Sequence, residues 1–310
     1  MGIASRARSL SSVARPTVRL PSERLLPPIS TDFVPSQPSD FRALPHLAEL
    51  LSQHRCAVLT GAGCSTASGI PDYRGPQTSK RERSPILYQT FVNSEDARRR
   101  YWARSAIGWP RIAGVKPNLA HRSLAALESR DLLSGLITQN VDSLHLHAGH
   151  QQVIELHGTL DEVICLDCRT TCSRTRIQHQ IQDLNPGWTN HHAQIAPDGD
   201  VAIPDIPRSF TIPDCPHCSG ILKPNVVFFG ENVAAPTLER AWRVLDDASM
   251  LLIVGSSLTV YSGYRFLKRA CAQHKPVVLL NLGNTRGDEE ADLKIEAQAG
   301  PALQRLLQLL

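Results

Sequence analysis

Apolar residues along the chain follow two alternating rhythms. In FRALPHLAELLSQHR, Leu44, Leu47, Leu50 and Leu51 recur at helical spacing and predict an amphipathic helix. The next segment, CAVLT, is a short continuous apolar run of strand type. It ends in the glycine-rich turn GAGCSTASG and a loop holding Pro71, Gly75 and Pro76. NLAHRSLAALESR then reads as a helix, GLITQN as a strand, and LDDASMLLIVGSS as a helix end running into a buried strand. KRACAQHKPVVLLNLG repeats that order. Continuous apolar strands separated by helices belong to a parallel sheet covered on both faces, so the expected fold is α/β, a doubly wound, Rossmann-like parallel sheet.

Between about residues 161 and 222 the rhythm breaks into turn formers such as LNPGW, APDGD and IPDIP, which suggests a small inserted module. The same stretch holds two CxxC pairs, Cys165 with Cys168 and Cys215 with Cys218. Each pair can supply two thiolates from a tight turn to one tetrahedral zinc ion. Four protein ligands leave no open position for a catalytic water, so the ion would hold the module together rather than react. A redox motif needs one pair and not two, and Cys172 has no matching partner.

Composition narrows the class. In 310 residues, a hydrophobic fraction of 42% and a charged fraction of 20% exclude general disorder. No apolar run reaches the roughly 18 residues of a membrane-spanning helix, so no membrane partner is expected. The formal charge of +4 sits at the front, where Arg6, Arg8, Arg15, Arg19 and Arg24 face only Glu23; the body is neutral. A nucleic-acid surface is therefore not expected. The Arg- and Ser-rich leader, residues 1–31, reads either as an organelle transit peptide or as the disordered tail of a bacterial protein.

Four segments carry candidate chemistry. In GAGCST, Gly61 and Gly63 let the backbone approach a pyrophosphate, although Thr66 stands where a dehydrogenase fingerprint needs a third glycine and a plain tight turn is the alternative. TQNVDSLH puts Gln139, Asn140 and Asp142 at the carboxyl end of a strand, where they either meet a ligand or cap the following helix. His157, followed by a glycine, sits at an expected chain bend as a candidate general base or a structural histidine. The extended KPNVVFFGE offers Val226, Val227, Phe228 and Phe229 either as an edge for an added peptide strand or as an ordinary buried strand.

Taken in this order, GAGCSTASGIPDYRG, TQNVDSLH, ELHG, the two CxxC pairs, KPNVVFFGE, GSSLTVYSG and NLG resemble the sirtuins, the NAD-dependent protein deacylases. The likeness runs over about residues 41 to 300, which implies a leader followed by one catalytic domain over residues 41–310. YWARSAIGWP, LNPGW and APDGDV are similar to the class II branch, which includes a mitochondrial member acting on lipoyl and branched dicarboxylic acyl groups as well as bacterial members. With DFVPSQP, this points to the mitochondrial matrix, or to the cytoplasm if the protein is bacterial.

The resemblance implies NAD and one structural zinc as cofactors and acylated-lysine proteins as partners. Gly61, Ala62, Gly63 and Ser65 would hold the pyrophosphate, and Ile70, Pro71, Asp72, Tyr73 and Arg74 would form a loop over the nicotinamide ribose. Gln139, Asn140 and Asp142 would line the nicotinamide pocket, with Gly255, Ser256, Ser257, Asn281, Leu282, Gly283 and the backbone of Ala299 around the adenosine half. His157 would be the base, with Asn140 and Asp142 beside it as catalytic residues. The acyl oxygen of the modified lysine would attack the ribose carbon as nicotinamide leaves, and products would be free lysine, nicotinamide and O-acyl-ADP-ribose. Ser143 stands where a glycine is common in the family, and Arg104, among Tyr101, Trp102 and Trp109, would favour acidic acyl chains if it reached the acyl pocket. A mono-ADP-ribosyltransferase and a silent NAD-sensing module are the alternatives.

Overall fold

The computed structural model describes residues 40–73, 85–190, 198–201 and 206–310. The leader, the Pro-rich linker and Arg74 lie outside the described residues. The chain enters through helix α1 (Leu44–Gln53), strand β1 (Cys56–Thr60) and two short 3-10 turns, then helices α2 (Tyr88–Asn93), α3 (Glu95–Ala113) and α4 (Leu119–Ser129). Strand β2 (Leu133–Thr138), the single turn α5 (Leu144–His147) and strand β3 (Val153–Glu155) follow. A smaller unit is built from β4 (Gly158–Cys165), β5 (Thr171–Ser173), α6 (Arg174–Leu184) and β6 (Leu222–Val226). The chain then completes the first unit with α7 (Ala235–Asp246), β7 (Met250–Val254), α8 (Tyr261–Ala272), β8 (Val277–Leu280), β9 (Leu293–Ile295) and α9 (Ala299–Leu307).

The large sheet has the order β3-β2-β1-β7-β8-β9, and every pairing in it is parallel. The doubly wound expectation holds. Strand periodicity explains the two layers: Val58, Leu252 and Val278 pack with Leu47, Leu51, Leu124 and Leu303 on one face. Their neighbours Leu59, Ile253 and Leu279 pack with Leu245, Phe266 and Leu267 on the other. Each central strand is buried on both sides, which is why these segments are continuously apolar. Of the α1 leucines, Leu44, Leu47 and Leu51 are buried and Leu50 lies at the margin, as the periodicity predicts.

The smaller unit is a three-stranded antiparallel sheet, β5-β4-β6. Its helix α6 packs against α3 through Arg174, a buried guanidinium lying 5.4 Å from the Trp102 ring and 5.0 Å from that of Trp109. Burial pushes its pKa down to about 10. Tyr101 and Trp102 are core residues, Tyr101 stacking edge-on against Phe91 and Phe228. The unit leaves and rejoins the rest of the chain at one place: Gly158 pairs with Val226, and the Val227 amide donates to the His157 carbonyl at 2.8 Å. Gly158, at φ +79, is required there because a Cβ would lie 2.0 Å from the Asn225 carbonyl oxygen.

No helix among the described residues is long and apolar enough to cross a membrane. Leu252→Ala, in fully buried β7, should cost about 2–5 kcal/mol of stability in urea unfolding, whereas a solvent-facing position would cost much less.

Candidate functional site

The strand order reverses between β1 and β7. To one side of β1 lie β2 and β3, and to the other β7, β8 and β9, so the loops at the strand ends diverge and open a cleft. The cleft, about 460 Å³, is walled by Gly61, Ala62 and Gly63 after β1, Gln139 and Asn140 after β2, Gly255, Ser256 and Ser257 after β7, and Asn281 and Leu282 after β8. Asp72, Tyr73 and His157 also line it, with Val227, Phe228 and Phe229 at one side. These residues come from segments far apart in sequence, and the fold brings them together.

Two turns meet at the base of this cleft. The Gly63 amide donates to the Gly255 carbonyl at 2.9 Å. A Cβ on Gly63 would come within 2.9 Å of Gly255, and one on Gly255, at φ +60, within 2.5 Å of the Cys64 nitrogen. Within the first turn, the amides of Gly61, Gly63 and Ser65 already have backbone acceptors. The Ala62 amide, at the start of its 3-10 helix, has none within the turn and is the donor best placed for an anion.

Ser65 and Asp142 lie behind the wall rather than on it. Ser65 Oγ donates to Asp142 Oδ2 at 2.6 Å and accepts from Asn140 Nδ2 at 3.1 Å, while that amide also donates to the Gly61 carbonyl at 3.1 Å. Asp142 Oδ1 accepts from the Leu144 amide at 3.0 Å, so the same carboxylate caps α5 and holds the cleft wall. Burial raises its pKa above the ordinary carboxylate value, while the Ser65 hydroxyl and the Leu144 amide pull it back. Gln139 Nε2 reaches across to Ser256 Oγ at 2.8 Å, linking the β2 and β7 loops.

Buried histidines support this network from below. His121 Nδ1 accepts from the Asn118 amide at 3.2 Å, so its proton sits on Nε2, 3.5 Å from Ser65 Oγ. Burial brings its pKa down to about 3 and holds that of His145, which shares a hydrogen bond with Thr60 at 3.0 Å, well below the usual range. Burial thus favours the neutral form of both rings. At Ser143 the backbone adopts φ +54, the left-handed region that glycine enters easily; the serine instead donates to Glu155 at 2.7 Å and shares a bond with Thr159 at 2.8 Å.

His157 occupies the turn between β3 and β4, as its sequence context predicts. Its Nδ1 lies 2.9 Å from the Gln139 carbonyl, which can only accept, so Nδ1 carries the proton and Nε2 holds the lone pair. Nε2 is 2.7 Å from Ser262 Oγ. Burial lowers the His157 pKa, the Gln139 carbonyl raises it, and Arg265 lowers it further. A neutral imidazole with one oriented acceptor nitrogen beside the cleft can take a proton from a bound hydroxyl.

Several expected residues lie off the cleft wall. Ile70 is in the core cluster of the smaller unit, Gly283 donates to Glu296 at 3.2 Å, and Ala299 starts α9 and packs on the core. Val226 belongs to β6 and Phe228 packs on Phe91, while Phe229 is 40% exposed, so alternate side chains serve core and surface. The expected open edge is partly covered: Leu87 bridges Phe229, whose carbonyl accepts from the Tyr88 amide at 2.9 Å. Arg104 pairs with Asp200 at 2.8 Å and does not line the cleft. Ser262 and Arg265 line the cleft without having been singled out, because nothing in GSSLTVYSG marks which hydroxyl reaches across to His157.

The four paired cysteines converge. Their sulfurs lie within 4.8 Å of one another, with Cys165 to Cys218 at 3.6 Å and Cys168 to Cys215 at 3.7 Å. A tetrahedral ion with sulfur ligands at about 2.3 Å spaces them by about 3.8 Å, so the set fits zinc. Both turns have one pattern, with the Arg169 amide donating to the Cys165 carbonyl and the Ser219 amide to that of Cys215. The residue after each pair is left-handed, Arg169 at φ +62 and Ser219 at φ +58. Cys172 bonds to the Val163 carbonyl at 3.8 Å and stays outside the cluster.

The profile of the Sir2 family matches residues 61–262. Over 259 residues the chain is 49% identical to a Xanthomonas axonopodis pv. citri protein named NAD-dependent protein deacetylase, covering 83% of this chain and 88% of that protein. A Batrachochytrium dendrobatidis protein named NAD-dependent protein deacylase SIR4 is 45% identical over 280 residues, covering 84% of this chain and 92% of the relative. Among solved structures, "Sir2-p53 peptide-NAD+" aligns with a TM-score of 0.69 at 30% identity, over 85% of this chain and 96% of that one.

Native mass spectrometry should find one zinc per chain. Cys168→Ser, at an exposed ligand, should lose the metal and lower the melting temperature, since such sites contribute on the order of 10 kcal/mol to folding. Full metal content in that variant would contradict a four-thiolate site.

Proposed function

The chain belongs to the Sir2 family and is an NAD-dependent protein deacylase, and from that premise we propose that it removes acyl groups from lysine side chains with His157 as general base. The observation that carries this reading is the His157 ring, its proton held on Nδ1 by the Gln139 carbonyl and its Nε2 beside a cleft at the strand-order reversal. We assign residues 41–310 to the catalytic domain, with the zinc-binding unit inserted at about 161–222. When bound, NAD supplies the ribose carbon that receives the acyl oxygen as nicotinamide leaves.

The chain's own groups do the rest. The Gly61–Ser65 turn, whose glycines allow close approach, takes the pyrophosphate at the Ala62 amide. Asn140, fixed by Gly61 and Ser65, shapes the nicotinamide pocket, with Asp142 holding Ser65 behind it. Asp72 and Tyr73 cover the ribose side, and Ser257, Asn281 and Leu282 face the adenosine half. His157 accepts a proton from a ribose hydroxyl at Nε2, freeing that oxygen to attack the acyl carbon. The four cysteines hold zinc away from this chemistry, with no open coordination position.

An acylated lysine in a protein is the substrate class, entering beside Val227 and Phe229. For location, the bacterial relatives are compatible with the cytoplasmic alternative, and the mitochondrial-matrix reading stands on the composition of residues 1–31. His157, Asn140 and Asp142 are all in place, which disfavours a silent sensing module.

The test is mass spectrometry of NAD-dependent turnover on lysine peptides carrying acetyl, lipoyl, glutaryl or hydroxymethylglutaryl groups. Free lysine, nicotinamide and O-acyl-ADP-ribose should appear in equal amounts, and His157→Ala should lower kcat by roughly 10²–10⁴. NAD consumed only into ADP-ribosylated protein would point to the transferase instead.

A further inference from the structure

His157 sits in surroundings hostile to its charged form. The ring is half-buried, Arg265 places a like charge nearby, and the N-terminus of α8, with its positive dipole end, opens onto the same cleft. A general base must become a cation, so something has to offset this. The Gln139 carbonyl serves Nδ1. On the working nitrogen, Nε2, the group in contact is the Ser262 hydroxyl at 2.7 Å, contributed by a helix 105 residues further along the chain.

Resting on the deacylase reading, we propose that Ser262 is a positioning residue for His157, holding Nε2 in line with the cleft and stabilising the ring once it has taken the ribose proton. A serine hydroxyl has one donor and two lone pairs, so it can face either protonation state. In the free enzyme its O–H donates to the Nε2 lone pair. When NAD binds, Nε2 passes to the ribose hydroxyl; the O–H bond of the ribose breaks, the proton forms an N–H bond at Nε2, and the hydroxyl electron pair stays on oxygen for attack on the acyl carbon. Ser262 then rotates and accepts from the new Nε2–H. That bond is charge-assisted and stronger than the neutral one, so the hydroxyl favours the imidazolium.

The geometry is suited to the task. Ser262 is the second residue of α8, whose first turn is held by the Gly263 amide donating to the Val260 carbonyl at 3.1 Å and by Arg265 Nε donating to the Ser262 carbonyl at 3.2 Å. A side chain on a braced helix start is more accurately placed than one on a free loop. The other titratable groups lining the cleft are Asp72 and Tyr73 after β1, Glu231 after β6, and Tyr261 and Arg265 on α8; Glu155 on β3 lies two residues before His157.

The experiment compares the full-length wild type with Ser262→Ala, Ser262→Thr and His157→Ala. In Ser262→Ala, kcat should fall about tenfold, the loss of one hydrogen bond to a charged group, while KM for NAD changes by less than about twofold. The acid limb of kcat/KM, which reports the free enzyme's base, should move to lower pH, because the cation has lost its acceptor. Ser262→Thr, which keeps the hydroxyl, should restore both. Nitrogen NMR of imidazole-labelled protein, with the His157 signal assigned by its absence in His157→Ala, should show the Nδ1–H tautomer that Gln139 fixes in both the wild type and Ser262→Ala, with the Nε2 resonance shifted in Ser262→Ala by loss of its hydrogen-bond donor.

An acid limb that stays in place or moves up towards ordinary histidine, with kcat unchanged, would overturn the role of Ser262, since simple hydration of a loosened ring moves it upward. Full turnover in His157→Ala would instead sink the deacylase mechanism itself. The two failures are thus distinguishable.

Discussion

The backbone contact between the turn after β1 and the turn after β7 is what the rest of the cleft depends on. Only two residues without side chains can bring Gly63 and Gly255 to a direct amide-to-carbonyl bond, since a Cβ on either would overlap the opposite backbone. That bond joins the ends of the two central strands. It leaves β2 and β8 to send their loops outward on opposite sides, and the space between them is the cleft. The two strands are joined by a parallel ladder from Cys56↔Met250 to Thr60↔Val254, and because both are buried on both faces their sequences are continuously apolar.

Most polar groups at the closed end of this space are committed to one another, the buried His145 Nδ1 being an exception. Asn140, Ser65 and Asp142 form a chain of bonds, and burial favours the neutral form of His121 and His145 below it. Such a network is stable only when nearly every member is satisfied, and the arrangement leaves His157 as the cleft-facing imidazole with an oriented acceptor. Rigidity on the floor and an adjustable proton acceptor on the rim are two parts of one design.

Much of this was readable in the sequence because it rests on local pattern. Apolar periodicity revealed α1 and the central strands, and the CxxC spacing located the sulfur cluster. Glycine placement located the turn after β1. Residues whose roles depend on distant partners were not readable: Ser262 is one serine among several until the fold sets it 2.7 Å from His157. Arg104 resembled a substrate contact until Asp200 came to meet it, and Tyr101 and Trp102 turned out to fill the core. The peptide edge was legible as an extended segment, but its covering by Leu87 comes from a strand-like bridge more than a hundred residues earlier in the chain, which no local pattern records.

The zinc-binding unit departs and returns through β4 and β6, strands already paired where they meet the large sheet. The host therefore meets the unit at a closed doorway, where the Val227 amide donates to the His157 carbonyl, and beyond it at α3, against which α6 packs through Arg174. Chain-closure entropy grows only logarithmically with the length of what lies beyond such a threshold. Length can thus be added within the unit at little entropic cost, whereas its face on α3, where Arg174 lies against Trp102 and Trp109, has to be kept.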